Sequence, residues 1–297
     1  MRLITYKRKN SETTKVGVIS KDNIYVNPIE KAVLPYQSML DLIKHISADE
    51  LAQLEHLEKL SNGEKLSDVQ VLAPIEDPER NIICVGQNYF EHAKESSKFE
   101  KIDFDAQRAK FGKAIYFSKY VDRCIADGEH IPSHKDITKE LDYEAELAII
   151  IGKDVLNVSE ENVQEYIFGY TVINDVSARD LQIEHRQWFY GKSLQGFAPL
   201  GPAIVTADSI SYPPDVDVKT FVNGELRQNS NTKLFIHSID EIVSELSKGM
   251  VLKAGTIIAT GTPAGVGAGF TPPKFLHHGD KVECVVENIG KLTNIVD

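Results

Sequence analysis

The sequence predicts a β-rich α+β fold, with a small N-terminal α+β domain over residues 1–76 and a larger domain over 77–297. Three observations carry that prediction. Short β-branched runs dominate the chain. Strands and helices do not alternate in the regular way of a doubly wound sheet. The proline-marked stretch Ala73-Pro74-Ile75-Glu76-Asp77-Pro78 breaks the chain in two.

The elements follow in order. Residues 2–8, 14–20 and 23–26 read as short strands around turns at Asn10-Ser11 and Lys21-Asp22. Ser47 is an N-cap for a helix to about Leu60, with Asp49 and Glu50 in its first turn and Ser61-Asn62-Gly63 ending it. Beyond the break come a buried strand from Asn81 to Val85, then Gly86, then a helix from Asn88. Strands are expected at 115–118, 141–151, 166–174, 199–206, 216–222, 225–229, 256–260 and, in two pieces, 281–296. The pair Asn223-Gly224 is a strong hairpin signal. Helices are expected near 159–165, 178–188 and 238–248.

Composition narrows the class. A chain of 297 residues with 42% hydrophobic and 26% charged residues has the makeup of a soluble globular protein with a large core. A net charge of −11 argues against a nucleic-acid surface, which needs a basic footprint, but leaves room for a small anionic substrate held by a few local cations. No apolar stretch approaches a membrane span, and Met1-Arg2-Leu3-Ile4-Thr5-Tyr6-Lys7-Arg8 is too polar for a signal peptide. Cys84, Cys124 and Cys284 are widely spaced and odd in number, which fits reduced, buried thiols in a cytoplasmic protein.

Several motifs fail on inspection. The glycine-rich run Gly261 to Gly269 follows a strand, yet Thr271-Pro272-Pro273 blocks the helix that a dinucleotide loop requires. Gly191-Lys192-Ser193 resembles the end of a phosphate loop, but Arg186 stands where its first glycine belongs. His130/His134 and His277/His278 sit beside Gly or Pro and read as surface-loop histidines. Glu184-His185 lacks the second histidine of a zinc protease helix.

Other residues converge. In Leu141-Asp142-Tyr143-Glu144-Ala145-Glu146-Leu147, a strand's period of two puts Glu144 and Glu146 on one face, roughly 7 Å apart at Cα. Two adjacent carboxylates repel unless a cation or solvent intervenes. Asp175, ending the next apolar run, offers a third oxygen donor. The trio is therefore either a site for Mg²⁺, Mn²⁺ or Ca²⁺, or a solvated strand face with an unrelated loop Asp. His92 and Glu95 stand at i and i+3 on the predicted helix, where a carboxylate can fix the imidazole tautomer. Arg179 and Gln182 start a helix just after Asp175. Lys192 lies in a Gly/Pro-shaped loop, and the 261–267 loop offers backbone N–H groups and the Thr262 hydroxyl, suited to a carboxylate.

Taken together, from about Asn81 to the C-terminus, this order resembles the fumarylacetoacetate hydrolase family. The resemblance implies a β-roll-like catalytic fold, a homodimer, and Mg²⁺ or Mn²⁺ held by Glu144, Glu146 and Asp175. It further implies His92 with Glu95 as catalytic dyad and Arg179, Gln182, Lys192 and Thr262 against the substrate, with Lys192 also serving catalysis. The expected activity is metal-dependent C–C cleavage in a small 2-oxo acid through an enolate: acylpyruvate-type hydrolysis or oxaloacetate decarboxylation. Isomerisation of an unsaturated 2-oxo diacid, or a catalytically weak metabolite-binding role, is the alternative. The resemblance is incomplete in places. Asn88-Tyr89-Phe90-Glu91-His92 offers no fourth carboxylate ligand, so water is expected to fill the remaining positions. Gln195 stands where many relatives have Asp, and Tyr120 where many have Pro.

Overall fold

The structure, a computed structural model, describes residues 1–101, 103 and 112–297. Two sheets pack around the strands at the middle of the chain. The strands of the N-terminal part are β1 (Arg2–Arg8), β2 (Thr14–Ile19), β3 (Tyr25–Pro28), β4 (Glu64–Lys65) and β5 (Val69–Val71). They continue with β6 (Ile82–Gly86), β7 (Ile115–Lys119), β8 (His130–Ile131), β9 (Leu141–Asp142), β10 (Ala145–Ile151), β11 (Ile167–Asn174) and β12 (Ser177–Ala178). The last are β13 (Leu200–Thr206), β14 (Asp217–Val222), β15 (Glu225–Asn231), β16 (Ile257–Ala259), β17 (Lys281–Val286) and β18 (Gly290–Val296).

The large sheet runs β4-β3-β2-β1-β13-β11-β10-β16-β6-β7, with β5 on β1. Hydrogen bonding thus crosses the chain break near residue 76, because Leu3 of β1 lies opposite Ile204 of β13. The second sheet is β15-β14-β17-β18-β8. Its hairpin β14–β15 turns at Asn223 (φ 52°) and Gly224 (φ 82°), the two positive angles a tight hairpin turn needs.

Strand β10 explains why its sequence reads as a continuous apolar run. Leu147, Ile149 and Ile151 pack into the core shared with Val218 and Val282 of the second sheet. The alternate residues Ala148 and Ile150 face a core shared with Leu3, Val18 and Leu42 of the N-terminal part. Both faces are buried, so period-two alternation of polarity disappears.

The helices are α1 (Met39–His45), α2 (Ala48–Glu58), α3 (Phe90–Phe99), α4 (Arg179–Glu184), α5 (Phe189–Lys192) and α6 (Ile239–Ser247). Ser47 caps α2 in a full capping box with Glu50, as its position predicts. Three expectations need correction. The helix near 159–165 is a 3-10 helix, Glu160–Tyr166, with no side-chain cap at Ser159. The helix expected over 178–188 ends at Glu184 as α4; Arg186 then takes a positive φ of 56°, and the separate short helix α5 begins at Phe189. The strand over 141–151 breaks at Tyr143-Glu144, where the Glu144 N–H bonds the Asn174 side chain and the Asp175 N–H bonds the Glu144 carbonyl. Among the described residues no helix is long and apolar enough to cross a membrane.

Candidate active site

The sheet order brings the functional segments to one end. Strand β10 is antiparallel to both β11 and β16, and β16 is parallel to β6. The start of β10, the end of β11, the end of β16 and the end of β6 therefore coincide. Glu146, Asp175, the glycine-rich loop and the chain entering α3 emerge there. Asn88 fixes that last segment: its amide donates to the carbonyls of Thr260 (2.9 Å) and His237 (3.1 Å) and accepts from the His237 N–H.

The three carboxylates meet. Glu144, Glu146 and Asp175 are at most 5% exposed, and each offers an oxygen within 4.8 Å of the others. Burial rules out the solvated strand face. The cations arrive from β7, α4 and α5. Lys192 Nζ lies 2.7 Å from Glu144 and 2.8 Å from Asp175, and Lys119 Nζ lies 2.9 Å from Asp175. Lys119, wholly buried, also donates to the carbonyls of Val176, Phe197 and Lys192, which fixes Asp175 and the loop after Lys192 together.

Arg179 is clamped. Its Nε donates to Asp142 (2.9 Å), and its NH1 to Glu144 (2.6 Å) and to Gln182 (3.1 Å). NH2 is buried without a partner among the described residues. Pairing of β9 with β12 sets this up, since Asp142 lies opposite Ser177, two residues before Arg179.

Protonation follows from these neighbours. Burial works against the Glu144 carboxylate, but Lys192 and Arg179 override it and hold the group down to about 2. Lys192 loses to burial and gains more from Asp175 and Glu144, ending pushed up to about 12, so it is a fixed ammonium. Glu146 is driven well above the usual carboxylate range by burial and by Asp175 and Glu144. Among the described residues no Lys or Arg pairs with it, and its oxygen accepts only the Gly261 N–H, at 2.7 Å.

Asp142, Glu144, Glu146 and Asp175 together face Lys119, Arg179 and Lys192: four carboxylates against three cations. An oxygen-only donor set in which one carboxyl, Glu146, has no cation to hold it ionised fits a hard divalent cation, which would displace its proton. Glu144, Glu146 and Asp175 would hold it.

On the opposite side stands the dyad. His92 Nδ1 is 3.1 Å from Glu95 Oε2, and both residues are largely buried on α3. His92, Glu144, Glu146, Arg179, Gln182, Lys192 and Thr262 all line one cavity of about 20 Å³. Gln87, Glu100 and Trp188 line it too, with no signal in the sequence that marks them. A wider groove of about 450 Å³, between β1–β2 and Pro74–Asp77, holds none of these groups.

Sequence reasoning misjudged two features. The glycine-rich loop spends its N–H groups on the protein's own carboxylates: Gly261 on Glu146, Gly265 on Glu95, Gly267 and Ala268 on Asp142. The Thr262 hydroxyl is likewise engaged, donating to the Ala145 carbonyl and accepting from Gln228. Asp142 reads in the sequence only as part of the 141–147 alternation, with no role of its own, and Gln228 is not singled out there. Asp142 shares the carboxylate alternation of 142–146, which is the signal that marks it. Gln228, buried on β15, has none. The histidines set aside as surface residues stay apart from the carboxylates: His130 lies exposed on β8, while His134 bonds the Gln195 carbonyl.

A sheet-rich α+β domain thus buries three carboxylates, a guanidinium, an ammonium and a His–Glu pair at one end of its large sheet. Residues 81–297 match the family model for the fumarylacetoacetate (FAA) hydrolase C-terminal domain, and the chain belongs to that family of enzymes. It is 47% identical over 229 residues to oxaloacetate tautomerase YisK of Bacillus subtilis, covering 77% of this chain and 73% of that protein. The solved fumarylacetoacetate hydrolase of Exiguobacterium antarcticum is 40% identical, with a TM-score of 0.82 over 100% of this chain and 99% of that one. Maleylpyruvate hydrolase from Sphingobium sp. SYK-6, solved with manganese(II) and pyruvate, is 28% identical with a TM-score of 0.76 over 100% and 98%.

Proposed function

We propose that the chain is a Mg²⁺- or Mn²⁺-dependent enzyme that converts a small 2-oxo acid through its enolate, with keto–enol tautomerisation of oxaloacetate as the reaction the site supports best. The observation that carries this reading is the single cavity lined by His92, which Glu95 bonds, together with Arg179, Lys192, Glu144 and Glu146, with Asp175 bonded to Lys192 beside it. The 47% identity to an oxaloacetate tautomerase supports the substrate.

A cation bound by Glu144, Glu146 and Asp175 supplies Lewis-acid polarisation of the 2-oxo group. The remaining roles belong to side chains. The unpartnered NH2 of Arg179 donates to the substrate carboxylate, where a charge-assisted bond relieves a buried orphan donor. Lys192, a fixed positive charge, stabilises the developing oxyanion more than the neutral ketone. Glu95 can only accept, so the neutral His92 ring carries its proton on Nδ1 and presents the Nε2 lone pair to the cavity. Toward the enol, that nitrogen takes the proton from C3, and the resulting imidazolium or water protonates the enolate oxygen. Toward the ketone, the enol oxygen loses its proton and the imidazolium protonates C3. A four-carbon acid is larger than about 20 Å³, so its binding moves side chains that line the cavity.

The second reading is cleavage of a C–C bond: hydrolysis of an acylpyruvate, with His92 activating water, or decarboxylation of oxaloacetate. The likeness to maleylpyruvate hydrolase favours it. Both readings include a homodimer, which sedimentation equilibrium checks. The deciding experiment incubates the protein and Mg²⁺ with oxaloacetate and, separately, with acetylpyruvate. Accelerated enol–keto exchange without pyruvate release supports the tautomerase. Pyruvate release from either acid supports cleavage. Neither activity, with metal present, sinks both.

A further inference from the structure

Glu95 lies in a seat made by the glycine-rich loop. Its Oε2 faces His92 Nδ1 at 3.1 Å, and its two oxygens lie 3.0 and 3.2 Å from the Gly265 N–H. The floor of the seat is Gly269, in the 3-10 turn Gly267–Gly269 on which α3 packs. A Cβ at Gly269 would stand 1.9 Å from Glu95 Oε1, 2.2 Å from its Cδ and 2.6 Å from its Cγ. Gly269 is not among the residues with positive φ, so its backbone accepts alanine; the Glu95 side chain is what excludes a methyl group. Gly265 differs: its φ is +105° and a Cβ there would meet the Arg227 carbonyl at 2.0 Å, so a substitution strains the backbone itself.

We infer that Gly269 is a positioning residue: its missing side chain makes the space in which the Glu95 carboxylate lies, and through Glu95 it fixes the tautomer and direction of His92. The same loop bonds Glu146 through Gly261 and Asp142 through Gly267 and Ala268. One short strap thereby sets the His–Glu pair in register with the carboxylate trio and the Arg179 clamp. The inference rests on the reading of His92–Glu95 as the base pair.

The test compares G269A, E95A and E95A/G269A with the unaltered protein. Nitrogen-15 NMR of the histidine rings, with His92 assigned by H92A, reports whether Nδ1 carries the bonded proton. Electron paramagnetic resonance reports Mn²⁺ binding, and turnover is followed on the 2-oxo acid that the unaltered enzyme converts. G269A is expected to lose the Nδ1–H signature as E95A does and to bind Mn²⁺ as before. Its kcat should fall by about 10–10²-fold, the scale of losing a histidine's orienting partner, with KM little changed. The double variant should be no worse than E95A. An unaltered NMR signature in G269A, or a full further loss on top of E95A, overturns the inference. If G269A does not fold, a folded E95A/G269A still supports Glu95 as the obstacle, and an unfolded one refutes it. Full turnover in E95A would sink the base-pair reading alone, because the NMR comparison needs no catalysis.

Discussion

Replacing Asp142 by alanine should unfold the protein rather than merely slow it. Asp142 is 0% exposed, and its oxygens accept from Gly267 (2.7 Å), Ala268 (3.0 Å), Tyr143 (2.9 Å) and Arg179 Nε (2.9 Å). Truncation leaves three buried amide donors, of Tyr143, Gly267 and Ala268, unmet, at about 1–3 kcal/mol each. It also removes one carboxylate from a buried guanidinium, for which breaking the pair costs about 3–5 kcal/mol. These terms share one site and do not simply add. A joint loss of about 5–8 kcal/mol is nevertheless comparable to the roughly 5–15 kcal/mol by which a domain is stable at all. D142N is milder, since it keeps the volume and one acceptor oxygen but turns an NH₂ toward a donor; about 2–4 kcal/mol is expected. Urea unfolding followed by circular dichroism measures both variants. A folded D142A within about 1 kcal/mol of the unaltered protein would refute the view that Asp142 joins the loop to the Arg179 clamp.

Three further outcomes are expected. E146Q should bind Mn²⁺ about 10–10²-fold more weakly and lose turnover in parallel; calorimetric titration showing unchanged affinity removes Glu146 from the ligand set. H92A should slow enolisation by about 10²–10⁴-fold with Mn²⁺ binding intact, and full activity would require another base. Glu64 accepts from Arg8 Nε (2.6 Å) and Tyr6 (3.2 Å), and the Arg8 hydrogen bond holds its carboxyl below the ordinary 4.5. A depressed folded pKa gives stability that is complete above the unfolded value and lost as pH falls through the folded one. The stability gap between the unaltered protein and E64Q should therefore be constant near neutrality and shrink below about pH 4.5; a gap that persists in acid contradicts the assignment.

Much of the fold was legible because local chemistry and tertiary context agree. The Ser47–Glu50 capping box and the Asn223-Gly224 turn are local signals, and both stand where the residues put them. The break at Tyr143-Glu144 was not legible, since both residues suit a strand. What ends the strand is the Asn174 side chain bonding the Glu144 N–H across 30 residues. The site divides the same way. Carboxylates and cations announce themselves by type and spacing, so His92, Glu95, Glu144, Glu146, Asp175, Arg179, Gln182 and Lys192 were nameable in advance. What they bond was not. Gln228 joins the Ala145 N–H, Thr262 and the Pro263 carbonyl from a different sheet, and no motif could carry that.

The glycine-rich loop shows why residue type alone misleads about role. Glycines with free N–H groups after a strand suggest a cradle for a ligand anion. Here Glu146, Glu95 and Asp142 already sit in that cradle; Glu146 lines the cavity, while Glu95 and Asp142 bond His92 and Arg179, which line it. A backbone amide offsets part of a carboxylate's burial cost without neutralising its charge. Asp142 and Glu144 gain Arg179 as well, and Asp175 gains Lys119 and Lys192. Glu146 gains no cation from Lys or Arg among the described residues. The one carboxylate left with an amide alone is thus the one whose charge calls most strongly for a metal, and the loop that holds it also holds Glu95. Glu146, a proposed metal ligand, and Glu95, partner of the proposed base, are thereby fixed to the same nine residues, 261–269. A perturbation of that loop should disturb the two together unless, like G269A, it reaches only one of them.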